Sequence, residues 1–187
     1  MMRSKIVLFG DSITEQSIRE NGWGVPLANA YSRRADILVR GYGGYNTKWA
    51  MFLLDHLFPL DSTKPPIATT IFFGANDAAL LGRTSERQHV PIEEFKENLR
   101  KFVRHLKECS PTMVIVLITP PPLSEEGRLA YARDGLHLTT EGNAVVYEEL
   151  IKVFDEAGLS AVNMPMDFPH HSKIDSKHPE RAFQQHV

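Results

Sequence analysis

A chain of 187 residues, 42% of them hydrophobic and carrying a formal net charge of -2, has the size and apolar content of one domain spanning residues 1–187. That charge provides no basic field for nucleic acid, and cations such as Arg33-Arg34 read as solvated surface. No apolar run is long enough to span a membrane, the opening Met1-Met2-Arg3-Ser4-Lys5 leads into a short apolar stretch and not a secretory core, and the single cysteine, Cys109, excludes an intramolecular disulfide; the cytoplasm is the expected compartment.

The first predicted element is a strand over residues 5–9, where Ile6, Val7 and Leu8 favour extended backbone. Gly10 allows an abrupt turn, and Ser12-Ile13-Thr14-Glu15 can open a helix, so a serine hydroxyl stands at the mouth of the strand; Asp11 is expected to bond its own turn. Gly22-Trp23-Gly24 follows. A second strand over residues 36–39 runs into Arg40-Gly41-Tyr42-Gly43-Gly44-Tyr45-Asn46-Thr47, and a third over residues 68–73 ends in Gly74-Ala75-Asn76-Asp77. Phe95, Leu99, Phe102, Val103 and Leu106 recur at three- and four-residue steps, which predicts a helix over residues 92–109 with this stripe packed on the sheet. A fourth strand, residues 113–118, leads to Thr119 and Pro120-Pro121-Pro122. Beyond residues 123–133 come Asp134-Gly135-Leu136-His137-Leu138-Thr139 and a last helix from about residue 141 to 157, with Gly158 as its stop. The tail from about Met164 is interrupted by Pro165, Pro169 and Pro179; its His170, His171, His178 and His186 have no partner spacing that builds a metal site.

Strands alternating with helical stretches predict repeated βα units, in which the loops following the strands gather on one sheet edge. Ligand sites of open α/β sheets form there. A nucleotide or flavin module would use the same loops, but neither the G-x-G-x-x-G nor the G-x-x-x-x-G-K-[ST] fingerprint occurs, and such a module leaves Asp134 and His137 unexplained. Acyl transfer accounts for all four segments. Ser12 would attack, His137 would take its proton, Asp134 would hold the imidazole, and the amides of Ser12 and Gly44 with the side chain of Asn76 would meet the oxyanion. Trp23 and Trp49 follow the first two blocks and are candidates either for a substrate pocket or for the core.

Taken in order, the four blocks resemble the SGNH branch of the GDSL esterases and lipases, in which Ser, Gly, Asn and His stand in this sequence. Gly22-Trp23-Gly24, Asn46-Thr47-Lys48-Trp49-Ala50 and Asp167-Phe168-Pro169-His170-His171 are similar more narrowly to the isoamyl acetate-hydrolysing esterase subgroup. The resemblance implies a three-layer α/β/α, flavodoxin-like hydrolase, a small ester substrate, and no metal or organic cofactor. One departure matters. The family pattern has a further helix and a fifth strand before its Asp-x-x-His loop, whereas here residues 123–133 alone span that interval. An excised αβ unit begins and ends on one sheet edge, so its loss need not carry His137 away from Ser12. Four parallel strands in the order 2-1-3-4 are expected, with residues 113–118 as an apolar edge that lowers stability or promotes self-association. Three readings therefore stand: a serine esterase for acetate-type esters, a carbohydrate deacetylase or acyltransferase on the same constellation, and a catalytically impaired shortened isoform that acts by binding or dimerisation.

Overall fold

The computed structural model describes residues 3–121 and 136–184. Strand β1 (Ser4–Gly10) pairs in parallel with β2 (Ala35–Gly41) on one side and β3 (Ala68–Phe72) on the other, and β4 (Val114–Leu117) pairs with β3. The order is β2-β1-β3-β4, as the sequence predicts. Register sets the strand ends level: Gly10 lies opposite both Gly41 and Phe72, so the loops that follow all leave the same edge.

β1 is buried on both faces, which is why it reads as a continuous apolar run with no polar alternation. Ile6 and Leu8 face one cluster with Trp23, Leu27, Tyr31, Leu150 and Phe154, brought by helices α2 (Gly24–Ala30) and α6 (Thr140–Glu156) and the turn before α2. Val7 and Phe9 face the other, with Ala50, Leu54, Phe58, Phe102 and Leu106. The short helices α3 (Thr47–Ala50) and α4 (Leu54–Leu57) and the long helix α5 (Ile92–Cys109) build that layer, while α1 (Ser12–Glu15) caps the end of β1. The result is a three-layer α/β/α arrangement. Helix α5 has the predicted bounds; its buried Asn98 breaks the apolar stripe and donates to Thr47 Oγ1 at 3.1 Å, tying α5 to α3.

Among the described residues β4 has one neighbour, β3, and Leu117 is 49% exposed. At the other end of the sheet the tail is tied down by Asp167, which accepts from Arg3 Nε at 2.7 Å and Arg33 Nε at 3.3 Å while its own N–H donates to the Arg33 carbonyl.

Candidate active site

Gly10 ends β1 where no side chain fits: a Cβ there would lie 2.1 Å from Thr14 Oγ1 and 2.5 Å from the Phe72 carbonyl oxygen. The turn that follows is closed by Asp11, whose Oδ1 accepts the Ile13 N–H at 2.9 Å and caps α1. Asp11 does the capping, so Ser12, the first residue of α1, keeps its hydroxyl for other use. His137 Nε2 lies 2.9 Å from Ser12 Oγ.

His137 reaches this position from the far side of the shortened interval because of what anchors α6. Leu150 and Phe154 are buried in the core, and the Phe154 ring meets Tyr31 edge-on at 6.0 Å. Tyr31 in turn donates its hydroxyl to the Leu159 carbonyl at 2.7 Å, holding the chain beyond α6. At the N-terminal end, Thr139 Oγ1 caps α6 by accepting the Gly142 N–H. Asn143 completes the tether. Its Nδ2 donates to the carbonyls of Leu138 and Thr139 at 3.3 and 2.8 Å, and its Oδ1 accepts the Trp23 N–H at 3.1 Å. Among the described residues, the histidine loop is thus pinned to the turn before α2.

The second and third blocks meet beside this pair. Gly44 has a positive φ of 78°, and its N–H makes no hydrogen bond with the described residues. The adjacent Gly43 N–H donates to Glu15 Oε2 at 2.6 Å, so α1 grips the glycine loop. Asn76 is buried and donates from Nδ2 to the Tyr45 carbonyl at 2.9 Å. Gln88 joins the two blocks: its Nε2 donates to the Gly44 carbonyl at 2.8 Å and to Asn76 Oδ1 at 3.2 Å. Asp77, one residue on, accepts the Thr47 N–H and hydroxyl. Sequence reasoning missed Gln88 and Asn143, since neither carries a motif and both act through backbone carbonyls that no spacing announces.

Among the described residues, neither Trp23 nor Trp49 lines the cavity beside Ile13 and Leu136. Trp23 is 0% exposed, packed near Phe72 with its Nε1 donating to the Ile13 carbonyl, so the pocket alternative is corrected in favour of the core; burial of so large a ring is favourable on area alone. Trp49 is half-buried, edge-on to Tyr45 at 6.0 Å and under the Arg87 guanidinium at 6.0 Å. The pocket that does adjoin the site has a volume of about 510 Å³ and apolar walls that include Ile13, Ala75, Val90, Phe95, Pro120 and Leu136. Three of these are sequence neighbours of Ser12, Asn76 and His137. Asp134 lies outside the described residues.

Two buried acids sit close to the nucleophile. Burial pushes Asp11 up to about 7; the Ile13 N–H opposes this, the charge of Asp77 adds to it, and the positive form of His137 offsets part of it. Its Oδ2 is buried with no hydrogen-bond partner among the described residues. Burial also raises Asp77, against the hydrogen bonds from Thr47.

Residues 8–133 match the GDSL-like lipase/acylhydrolase family. A GDSL esterase/lipase of Arabidopsis thaliana is 53% identical over 239 aligned positions, covering 98% of this chain and 99% of that protein. Since the chain has 187 residues, at least 52 of those positions have no counterpart in it, and the family match stops at residue 133, where the missing αβ unit is expected. The human isoamyl acetate-hydrolyzing esterase 1 homolog is 46% identical over 123 residues, 65% of this chain and 49% of that one. In fold, the chain is similar to the crystal structure of an acetyl xylan esterase, with a TM-score of 0.65 at 18% identity over 80% of this chain and 98% of that one. With the ordered blocks, the four-stranded parallel sheet and a relative aligned along nearly its whole length, this chain belongs to the GDSL-like lipase and acylhydrolase family and is a carboxylic ester hydrolase.

Proposed function

We propose that the protein is a serine esterase for small, acetate-type carboxylic esters, working through an acyl-enzyme on Ser12. The 2.9 Å contact between His137 Nε2 and Ser12 Oγ carries this reading. A neutral imidazole with its lone pair on Nε2 accepts the hydroxyl proton as Oγ bonds to the ester carbon. The imidazolium then gives that proton to the alkoxy oxygen as the ester C–O bond breaks, and the alcohol departs. Water, losing a proton to the same nitrogen, attacks the acyl carbon; the carboxylic acid leaves and Ser12 recovers its hydrogen. Asp134, three residues before His137, is assigned on its motif to hold Nδ1 and hence the tautomer. The N–H groups of Ser12 and Gly44 and the Asn76 amide receive the oxyanion.

The cavity supports an ester with a hydrocarbon group on one side. Apolar side chains such as Ile13, Val90, Phe95 and Leu136 outnumber the polar Asp77, His89 and Thr119 on the cavity wall, so sugar hydroxyls would find few replacements for their hydrogen bonds to water, which weighs against a carbohydrate substrate. Relatives named isoamyl acetate-hydrolyzing esterase homologs agree with such an ester. The nucleophile–base contact likewise weighs against an impaired isoform.

With p-nitrophenyl acetate as substrate, Ser12→Ala and His137→Ala should each abolish turnover, and the double variant should be little worse than either, because residues acting as one unit give non-additive losses. Asn76→Ala should lower kcat by roughly 10²–10³-fold with KM little changed, since its amide is needed mainly as the oxyanion forms. Turnover near the wild-type value in Ser12→Ala or His137→Ala would move the chemistry elsewhere.

A further inference from the structure

We infer that Gln88 is a positioning residue for the oxyanion hole, its side-chain amide setting the two donor-bearing loops against one another. The inference rests on the reading of Gly44 and Asn76 given above. Both hydrogens of Gln88 Nε2 are committed, one to the Gly44 carbonyl at 2.8 Å and one to Asn76 Oδ1 at 3.2 Å. These two acceptors belong to loops after different strands, β2 and β3, and they have no covalent link shorter than the whole intervening chain. The bond to Oδ1 decides which end of the Asn76 amide faces which way. With Oδ1 held by Gln88 and one Nδ2 hydrogen on the Tyr45 carbonyl at 2.9 Å, the second Nδ2 hydrogen is left for a substrate oxygen. The bond to the Gly44 carbonyl holds the Gly44–Tyr45 peptide, and so the residue, of φ 78°, whose own N–H on the preceding peptide is unused among the described residues.

Gln88 can serve in this way because its own backbone is locked on both sides. Its carbonyl accepts Asn46 Nδ2 at 2.8 Å, and its N–H donates to the Ser85 carbonyl at 2.9 Å. His89 Nδ1 donates to the Ala79 carbonyl at 2.7 Å, and the Val90 N–H donates to the Asp77 carbonyl at 3.0 Å. Asn46 is also the cap of α3, its Oδ1 accepting the Trp49 N–H at 2.9 Å, so the glycine loop, the asparagine loop and the turn carrying Gln88 are one hydrogen-bonded unit. A donor fork at this point is specific to glutamine. Glutamate has the same shape but would aim a carboxylate at two acceptor oxygens, and methionine fills the space with no donor at all.

The test compares wild type with Gln88→Met and Gln88→Glu by p-nitrophenyl acetate kinetics, and by the side-chain ¹H–¹⁵N resonances of Asn76 and the backbone resonance of Gly44. Both variants should lose about ten- to hundredfold in kcat with KM within about threefold, Gln88→Glu being the worse, as displaced oxyanion donors act on the transition state more than on bound substrate. The Asn76 side-chain pair should shift or broaden in each. A Gln88→Met protein with wild-type kcat, or with unchanged Asn76 and Gly44 resonances, would overturn the inference. If no form of the protein turns over ester while those resonances still move, the clamp stands and the catalytic reading fails instead.

Discussion

Asp11 shows how one residue can be required by the fold and still work against it. Its carboxylate caps α1 through Oδ1, yet Oδ2 is buried without a partner among the described residues and burial lifts its pKa to about 7. A folded-state pKa above the unfolded value means that the native protein binds more protons across the interval from 3.8 to about 7, so this group's contribution to stability declines as pH rises through that window and is level above it. Asp11→Asn keeps an oxygen for the Ile13 N–H and removes the charge. Chemical denaturation at pH 8 should therefore find the variant more stable by about 1–3 kcal/mol, with the gap closing toward pH 4. An equal stability difference at both pH values would show that the ionised form carries no penalty. The sequence made the capping role of Asp11 legible, because an Asp before a short helix bonds its own turn. It did not reveal how completely that carboxylate is buried, which only the folded chain sets.

At the scale of elements, the strands and α5 were legible because their patterns are local: β-branched runs ended by glycine, and an apolar stripe at helical spacing. The tether of α6 was not. Asn143 sits in the first turn of α6 and carries no motif of its own; its value lies in joining Leu138 and Thr139 to Trp23, 120 residues away in sequence. Trp23 stays open between pocket and core in the sequence for the same reason, since adjacency to a catalytic block says nothing about which face of the chain turns inward; burial decides for the core. The β4 edge is the element that the shortened interval puts at risk. Val114 and Ile118 bond inward to Ile67 and Ile71, but among the described residues nothing pairs with the outer side of β4, and Leu117 is half exposed. Amide hydrogen exchange should be faster in Val114–Leu117 than in Ala68–Phe72, and sedimentation should detect association that grows with protein concentration. A monomer at every concentration with equally slow exchange in both strands would contradict this picture of the edge.

For the whole molecule, the central point is that the proposed nucleophile and base meet although the interval before the histidine block is shortened. At least 52 positions of a 53%-identical relative have no counterpart here, yet Ser12 and His137 stand 2.9 Å apart. Level strand ends keep the loops on one edge, and α6 is located by the core it shares with Tyr31 through Leu150 and Phe154. The four ordered blocks carried the family and the identity of the site candidates in the sequence; the hydrogen-bonded unit around Gln88 that holds two of them emerges only in three dimensions. The most direct measurement is to treat the full chain with a fluorophosphonate and map the adduct by mass spectrometry. A competent nucleophile and base predict one adduct on Ser12, abolished in Ser12→Ala and strongly slowed in His137→Ala. A folded protein that takes up no label, or one that labels equally in Ser12→Ala, would contradict the account.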